Sequence, residues 1–157
     1  MLFFAGSYAA NALNLRVNRL EKICIMFSVI RTQLECCCCP LEPLLDILTS
    51  SEELADLKFL SECRDMLSSE PFPQAWNKAL RDRANTAGLN TSDVERLVSF
   101  GGVLGTTALD GQITNCDMYS ADFSLRLSGA RERCARYSKL LPPLGALLGA
   151  VVVIAAI

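Results

Sequence analysis

The sequence contains no histidine among its 157 residues. Histidine is the commonest general base of enzymes and the commonest metal ligand, so Ser-His-Asp and Cys-His catalysis are excluded within this chain. The chain also lacks a Gly-x-x-x-x-Gly-Lys-Ser/Thr loop, so we do not expect it to hydrolyse nucleotides itself. These absences favour a binding protein over an enzyme, and we expect no cofactor.

The charge of the chain is nearly balanced, with 15 basic and 17 acidic residues and a formal net charge of −2. This balance does not indicate nucleic acid as a partner, and no motif indicates a small-molecule substrate. Apolar residues make up 51% of the chain, which is high for a soluble domain. Because much of this excess lies at the two ends, we predict one modest domain with hydrophobic ends.

The eight cysteines do not have the spacing of a secreted disulfide scaffold. Four are consecutive, from Cys36 to Cys39, and the others fall within helical patterns, which favours reduced thiols in a cytosolic compartment. The Cys-x-x-Cys spacing in this run also occurs in zinc sites and redox motifs. However, zinc would need four thiolate or carboxylate ligands here, and a redox motif usually follows a strand. We interpret the run as small apolar residues at a helix end and predict no metal site; a zinc or thiol-redox protein is an alternative.

The C-terminal segment, residues 140–157, has no charged and no strongly polar side chain. As a helix it would rise about 27 Å, close to the hydrocarbon core of a bilayer, which is about 30 Å thick. We therefore predict a transmembrane anchor here, and the alternative is a core helix of a larger assembly. The residues assigned to the anchor are Leu144, Gly145, Leu147, Leu148, Val151, Val152, Val153 and Ile154.

The N-terminal segment, residues 1–15, begins apolar but is too short to span a bilayer alone. It also lacks the positive charge that precedes the apolar part of a signal peptide, so we interpret it as a short interfacial or truncated anchor. Basic residues flank the domain between the two segments: Arg16, Arg19, Lys22, Arg126, Arg131, Arg133, Arg136 and Lys139. Because positive charge stays on the cytoplasmic side of a membrane, the domain 16–139 is predicted to face the cytoplasm. A solvated helix face is the alternative explanation for the second cluster.

Two long helices are predicted at the edges of this domain. The first ends near residue 37 and carries a stripe with three- and four-residue spacing: Leu20, Ile23, Phe27, Ile30 and Leu34. The last begins near residue 110 and carries a seven-residue pattern: Ile113, Cys116, Ser120, Phe123, Leu127, Ala130, Cys134, Tyr137 and Leu141. Such spacing favours near-parallel packing of long helices, so we expect these two to pack against each other in antiparallel directions.

Shorter helices are expected between the two long ones. Pro40 is suited to open one of them, because its missing N–H is not needed at a helix start. Prolines 71 and 73 precede another, and two capping boxes, Ser50 with Glu53 and Ser92 with Glu95, predict further helix starts. No segment shows the alternation of a strand. The sequence thus predicts an all-α bundle of about six helices followed by a C-terminal transmembrane helix.

Five short stretches, in their order and spacing, resemble the stage III sporulation protein AB family of endospore-forming bacteria. They are residues 40–41 (PL), 75–80 (AWNKAL), 100–105 (FGGVLG), 110–112 (DGQ) and 137–140 (YSKL). The resemblance implies a helical domain like that of type II secretion platform proteins of the F type. It also implies a place in the channel complex between mother cell and forespore, in the mother-cell membrane around the forespore. The implied partners are the sporulation ATPase of the same operon and other membrane channel components, and no catalytic residues come with the family.

The predicted partner-binding residues are Gly101, Gly105, Asp110 and Gln112, which lie within two of these stretches. The alternative is that they only hold a helix junction together. A platform protein of a pilus or a type II-like secretion system would share the fold without the sporulation role, and is the alternative function.

Overall fold

The computed structural model describes the backbone of residues 2–37, 40–106 and 108–155, and the side chains of residues 11–36, 40–106 and 108–137. Within these ranges the chain forms six α-helices and no strand. The helices are α1 (Leu2–Cys37), α2 (Leu41–Ser50), α3 (Lys58–Met66), α4 (Phe72–Arg81), α5 (Thr91–Val103) and α6 (Leu109–Ala155), and a 3₁₀ turn (Glu52–Leu54) follows α2. The predicted all-α bundle of about six helices is confirmed.

The long helices α1 and α6 pack side by side in antiparallel directions, as predicted. The ring centroids of Phe27 and Phe123 lie 5.4 Å apart at the middle of the pair. Nearer the start of α1 and the end of α6, the thiol of Cys134 donates a hydrogen bond to Asn14 Oδ1 at 2.8 Å. The start of α1 and the end of α6 therefore lie at the same end of the pair.

The apolar stripes of these two helices form the centre of the core. The buried members of the two predicted patterns are Leu20, Ile23, Phe27, Ile30, Leu34, Cys116, Phe123, Leu127 and Ala130. Full burial of a large apolar side chain contributes about 1.5–3 kcal/mol, so this pairing accounts for much of the stability of the bundle. The pattern stops matching the core at Tyr137, whose side chain is 47% exposed.

Trp76 of α4 connects the shorter helices to this core. Its ring centroid lies 5.3 Å from that of Phe59 in α3 and 6.3 Å from that of Phe100 in α5. Its Nε1 donates a hydrogen bond to the backbone oxygen of Leu97 at 2.8 Å, so the one polar atom of the buried indole is satisfied. Because Phe100 in turn packs on Phe27 at 4.8 Å, aromatic contacts join α3, α4 and α5 to α1.

The two helix starts predicted from prolines are found at the expected positions, whereas the two predicted from capping boxes are not. Pro40 and Pro71 are the N-cap residues of α2 and α4, as expected. The box predicted at Ser50 is wrong, because Ser50 is the last residue of α2 and its hydroxyl donates to the backbone oxygen of Asp46 at 2.7 Å. A serine inside a helical turn is not placed to accept a hydrogen bond from the following turn.

The box predicted at Ser92 is also wrong, because the cap lies two residues earlier. Asn90 Oδ1 accepts a hydrogen bond from the backbone nitrogen of Asp93 at 2.8 Å, and the Asp93 carboxylate accepts one from the backbone nitrogen of Asn90 at 3.2 Å. Asn90 and Asp93 thus form a reciprocal capping box at the start of α5.

No helical stretch within the part of the chain so described is apolar enough over a sufficient length to cross a membrane. The side chains of the predicted anchor, Leu144 to Ile154, lie outside the described residues, as do those of residues 1–10. The backbone of α6 continues as one helix from Leu109 to Ala155.

Candidate partner-binding site

Gly101, the first of the predicted partner-binding residues, is buried beneath Trp76. A Cβ atom at this position would lie 2.0 Å from Cδ1 of Trp76, far inside van der Waals contact. Gly102 beside it is exposed, and a Cβ there would meet nothing within 4 Å. Gly101 therefore permits the close approach of α4 and α5, and it does not lie on the surface.

Gly105 lies at the surface, in the connection between α5 and α6. Its φ of +80° is a left-handed conformation that glycine adopts without strain. Its backbone nitrogen donates a hydrogen bond to Gln112 Oε1 at 3.3 Å, so the side chain of Gln112 stabilises this connection. A Cβ at Gly105 would lie 2.9 Å from Cδ1 of Leu41, which places the start of α2 against the same connection.

Asp110 is exposed in the first turn of α6, where a carboxylate interacts favourably with the positive end of the helix dipole. Together Leu41, Gly105, Asp110 and Gln112 form what we call the α5–α6 tip. The tip combines a half-buried apolar side chain, an exposed backbone turn and an exposed carboxylate. Such a surface can bind a protein partner, but it carries no group arranged for nucleophilic or acid–base chemistry.

Asp93 forms a buried charge cluster that the sequence patterns did not indicate. Its side chain is fully buried, and its Oδ2 binds Arg16 Nε at 2.9 Å. Its Oδ1 binds an Nη atom of Arg16 at 3.1 Å and Nη1 of Arg126 at 3.1 Å. One carboxylate thus ties the start of α5 to both long helices.

The protonation of Asp93 reflects competing effects. Burial alone raises the pKa of Asp93, but hydrogen bonds from Arg16, the Asn90 backbone and Arg126, with the charge of Arg16, outweigh it. The net pKa of this carboxyl group therefore lies below its ordinary value, and Asp93 is ionised at neutral pH. Two charged partners and a backbone N–H compensate for the desolvation of its charge.

The cluster extends along α6 through a second carboxylate. Arg126 Nε binds Asp122 Oδ2 at 3.2 Å, and Arg96 Nε of α5 binds the same oxygen at 2.8 Å. The guanidinium of Arg96 lies 4.4 Å from the ring centroid of Tyr119. Alternating charges therefore hold α5 against α6 over about one helical turn.

Several basic residues used for the topology prediction have partners within the domain. Arg16 and Arg126 bind Asp93, as described above. Lys22 binds the carboxylate of Asp56, and an Nη atom of Arg131 binds Glu21 Oε1 at 2.7 Å. Ion pairs within the bundle and the positive-inside rule therefore explain the positions of these basic residues equally well.

The thiols of the described cysteines are free. Burial raises the pKa of Cys63 to about 12 and that of Cys116 to about 11, so both are protonated at neutral pH. Cys36 is exposed, whereas the side chains of Cys37 to Cys39 lie outside the described residues. Among the residues whose side chains are described, no group of three or more possible ligands is placed to hold a metal ion.

Comparison with known proteins yields one match. The family model "stage III sporulation protein AB" matches residues 1–157, the whole chain. No curated protein sequence matches the chain, and no solved structure matches it.

Proposed function

Because the chain belongs to the stage III sporulation protein AB family, a family of spore formation, we propose that it is a non-enzymatic membrane component of the channel complex between mother cell and forespore. In this proposal it acts as a platform or adaptor for the cognate cytoplasmic ATPase and contacts other membrane components of the channel. The domain 16–139 faces the cytoplasm, and the hydrophobic segment 140–157 anchors the chain in the mother-cell membrane around the forespore.

The observation that carries the proposal is the position of the α5–α6 tip on the long helix pair. The start of α1 and the end of α6 lie at one end of this pair, where Cys134 binds Asn14. The tip lies at the other end, where α1 has ended and α6 begins. The 36 residues of α1 correspond to a length of about 54 Å. If the hydrophobic ends hold the chain in the membrane, the tip points into the cytoplasm and is accessible to a soluble ATPase.

The state of the cysteines is consistent with this orientation. Cys24, Cys36, Cys63, Cys116 and Cys134 are all free thiols, and no disulfide joins any two of them. Proteins keep free thiols mainly in reducing compartments such as the cytoplasm. This supports a cytoplasmic domain.

The partner role is tested by capture of the ATPase on the full-length protein in mild detergent. We expect the double variant Asp110→Ala, Gln112→Ala to retain at most about one tenth of the captured ATPase, as for residues at the centre of an interface. The matched control is Glu132→Ala, an exposed acidic residue of the same helix that forms a long ion pair of 3.9 Å with Arg136. Circular dichroism verifies that both variants are folded.

The outcomes separate the parts of the proposal. Unchanged capture by the double variant removes the tip from the interface, and an absence of capture by the wild-type chain contradicts the adaptor role. The membrane part is tested independently by fractionation of sporulating cells. Recovery of the full-length chain in the soluble fraction without detergent would contradict the anchor.

A further inference from the structure

One face of the long helix pair remains uncovered by the shorter helices. The edge of α1 that faces the shorter helices carries Lys22, which binds Asp56 beside the 3₁₀ turn. The edge of α6 that faces the shorter helices carries Tyr119, whose ring centroid lies 5.2 Å from that of Phe100 in α5. The two remaining edges adjoin each other and form a continuous surface, which we call the outer face.

The outer face is uncharged along its middle and consists largely of small side chains. These side chains are Cys24, Ile25 and Ser28 of α1, and Ala121, Ser124 and Ser128 of α6. All of them are exposed except Cys24, which is half-buried, and Ile25 is 36% exposed. Ser124 donates its hydroxyl proton to the backbone oxygen of Ser120 at 2.9 Å. Because most of these side chains are small, the surface allows another helix to approach closely.

An ion pair between α1 and α6 closes each end of the outer face. At the end nearer the chain termini, Arg131 binds Glu21 at 2.7 Å, and these side chains are 59% and 42% exposed. At the end nearer the tip, Arg31 binds Asp117 at 2.6 Å, and these side chains are 43% and 53% exposed. Arg31 also binds Glu35, one turn further along α1, at 2.8 Å. In each pair the two residues lie at the same height along the helices. Nearer the chain termini the acidic residue belongs to α1 and the basic residue to α6, whereas nearer the tip the basic residue belongs to α1 and the acidic residue to α6.

From this arrangement we propose that the outer face binds a second copy of the chain, related by a two-fold axis parallel to α1 and α6. Such an axis places α1 of each copy over α6 of the other. Because the paired residues have equal heights, Glu21 meets Arg131 of the second copy, and Arg31 meets Asp117 of the second copy. The end nearer the chain termini then carries a ring of four alternating charges. The end nearer the tip carries the same kind of ring with Glu35 of each copy beside Arg31. The small side chains between the two ends let the four helices form a bundle.

The direction of the second copy rests on the membrane anchoring proposed above. A two-fold axis perpendicular to α1 and α6 would also pair opposite charges. It brings Glu21 against Arg31 of the second copy, and Arg131 against Asp117 of the second copy. It would, however, point the hydrophobic ends of the two copies in opposite directions. Two chains anchored in one membrane require the parallel arrangement.

The test uses two full-length chains with different affinity tags, produced together and purified in mild detergent through one tag. We expect the wild-type chains to co-purify. Two Glu21→Arg chains should co-purify at least about tenfold less, because each of two symmetric contacts changes from attraction to repulsion, and about 1.4 kcal/mol corresponds to tenfold in affinity. Two Arg131→Glu chains should behave in the same way.

The decisive sample combines a Glu21→Arg chain with an Arg131→Glu chain. In the parallel arrangement both contacts of this mixed dimer are attractive again, so co-purification should return to near the wild-type level. A loss caused only by broken pairing within each chain is not repaired by mixing. In the arrangement with reversed direction, arginine at position 21 would still face Arg31, and mixing would not restore binding.

The matched control reverses an exposed ion pair elsewhere on the domain. Arg81 binds Glu95 at 2.7 Å, and their side chains are 56% and 52% exposed, like those of the outer face. Glu95→Arg should leave co-purification unchanged. The proposal is overturned if wild-type chains do not co-purify, if Glu21→Arg has no effect, or if mixing fails to restore binding. These results do not depend on capture of the ATPase, so the two proposals can fail separately.

Discussion

Replacement of Asp93 by asparagine keeps the size of the side chain and removes its negative charge. The carboxylate is fully buried, whereas the side chains of Arg16 and Arg126 are 15% and 23% exposed. Removal of one partner from a buried ion pair costs about 3–5 kcal/mol. Because both arginines retain partial access to water and Arg126 keeps its contact with Asp122, we expect a smaller loss, about 2–4 kcal/mol in the free energy of unfolding.

The prediction is measured by urea unfolding of the full-length protein in mild detergent at pH 7, followed by circular dichroism. The matched control is Glu95→Gln, which neutralises a carboxylate in the exposed pair with Arg81. Exposed pairs contribute about 0–1 kcal/mol, so the control should change little. The reasoning is refuted if Asp93→Asn loses no more stability than Glu95→Gln.

The pH dependence of stability provides a second measurement on the same variant. The pKa of Asp93 is lower in the folded chain than its ordinary value, because its hydrogen bonds outweigh the effect of burial. Its contribution is therefore fully present above about pH 4, the range of an unfolded aspartate, and is lost as the pH falls through the folded pKa. The stability difference between wild type and Asp93→Asn should shrink between pH 7 and pH 3. A constant difference over this range would contradict the assignment.

Two further predictions concern packing and thiol chemistry. Gly101→Ala places a methyl group 2.0 Å from the ring of Trp76, so urea unfolding should show a loss of about 1–3 kcal/mol, whereas Gly102→Ala, which meets nothing within 4 Å, should show none. Cys36 is exposed and the buried Cys63 has its pKa raised to about 12. Iodoacetamide at pH 8 should therefore alkylate Cys36 at least about ten times faster, as measured by mass spectrometry, and equal rates would contradict the burial of Cys63.

The long helices were predictable because local spacing and tertiary packing agree in them. The stripe from Leu20 to Leu34 has helical periodicity, and each of its apolar members is buried in the bundle. The seven-residue pattern of α6 identified the face that contacts α1. It missed Tyr119, which is buried because α5 covers a second face of α6. A pattern that assumes one partner cannot indicate a second one.

The start of α5 was misplaced because two overlapping patterns satisfy the same local rule. Ser92 with Glu95 and Asn90 with Asp93 both have the spacing of a capping box. The structure uses the second, where Asp93 also binds Arg16, which lies 77 residues earlier in the chain. This long-range ion pair adds stability to one of two locally equivalent starts, and no spacing rule within a helix contains that information.

Among the predicted partner-binding residues, local contacts were predictable from the sequence and a long-range contact was not. Gly105 and Gln112 were recognisable as a helix junction, and their hydrogen bond shows that they stabilise it. The contact of Gly105 with Leu41 depends on how α2 folds back, which the sequence did not indicate. Asp110, which is exposed, is therefore the residue of the tip whose substitution tests partner binding with the least effect on the junction.

The tip and the outer face can be occupied at the same time. On α6 the exposed Asp110 lies seven residues before Asp117 of the outer face, a separation of about 10 Å along the helix. A second copy bound through the outer face would leave both tips uncovered and pointing in the same direction. If the proposed ATPase partner offers more than one binding site for the tip, two tips held together would bind it with a higher effective concentration than two separate chains. The Glu21→Arg variant should therefore weaken capture of the ATPase although it lies far from the tip, and the mixed dimer with Arg131→Glu should restore it. Full capture by Glu21→Arg would show that single tips are sufficient.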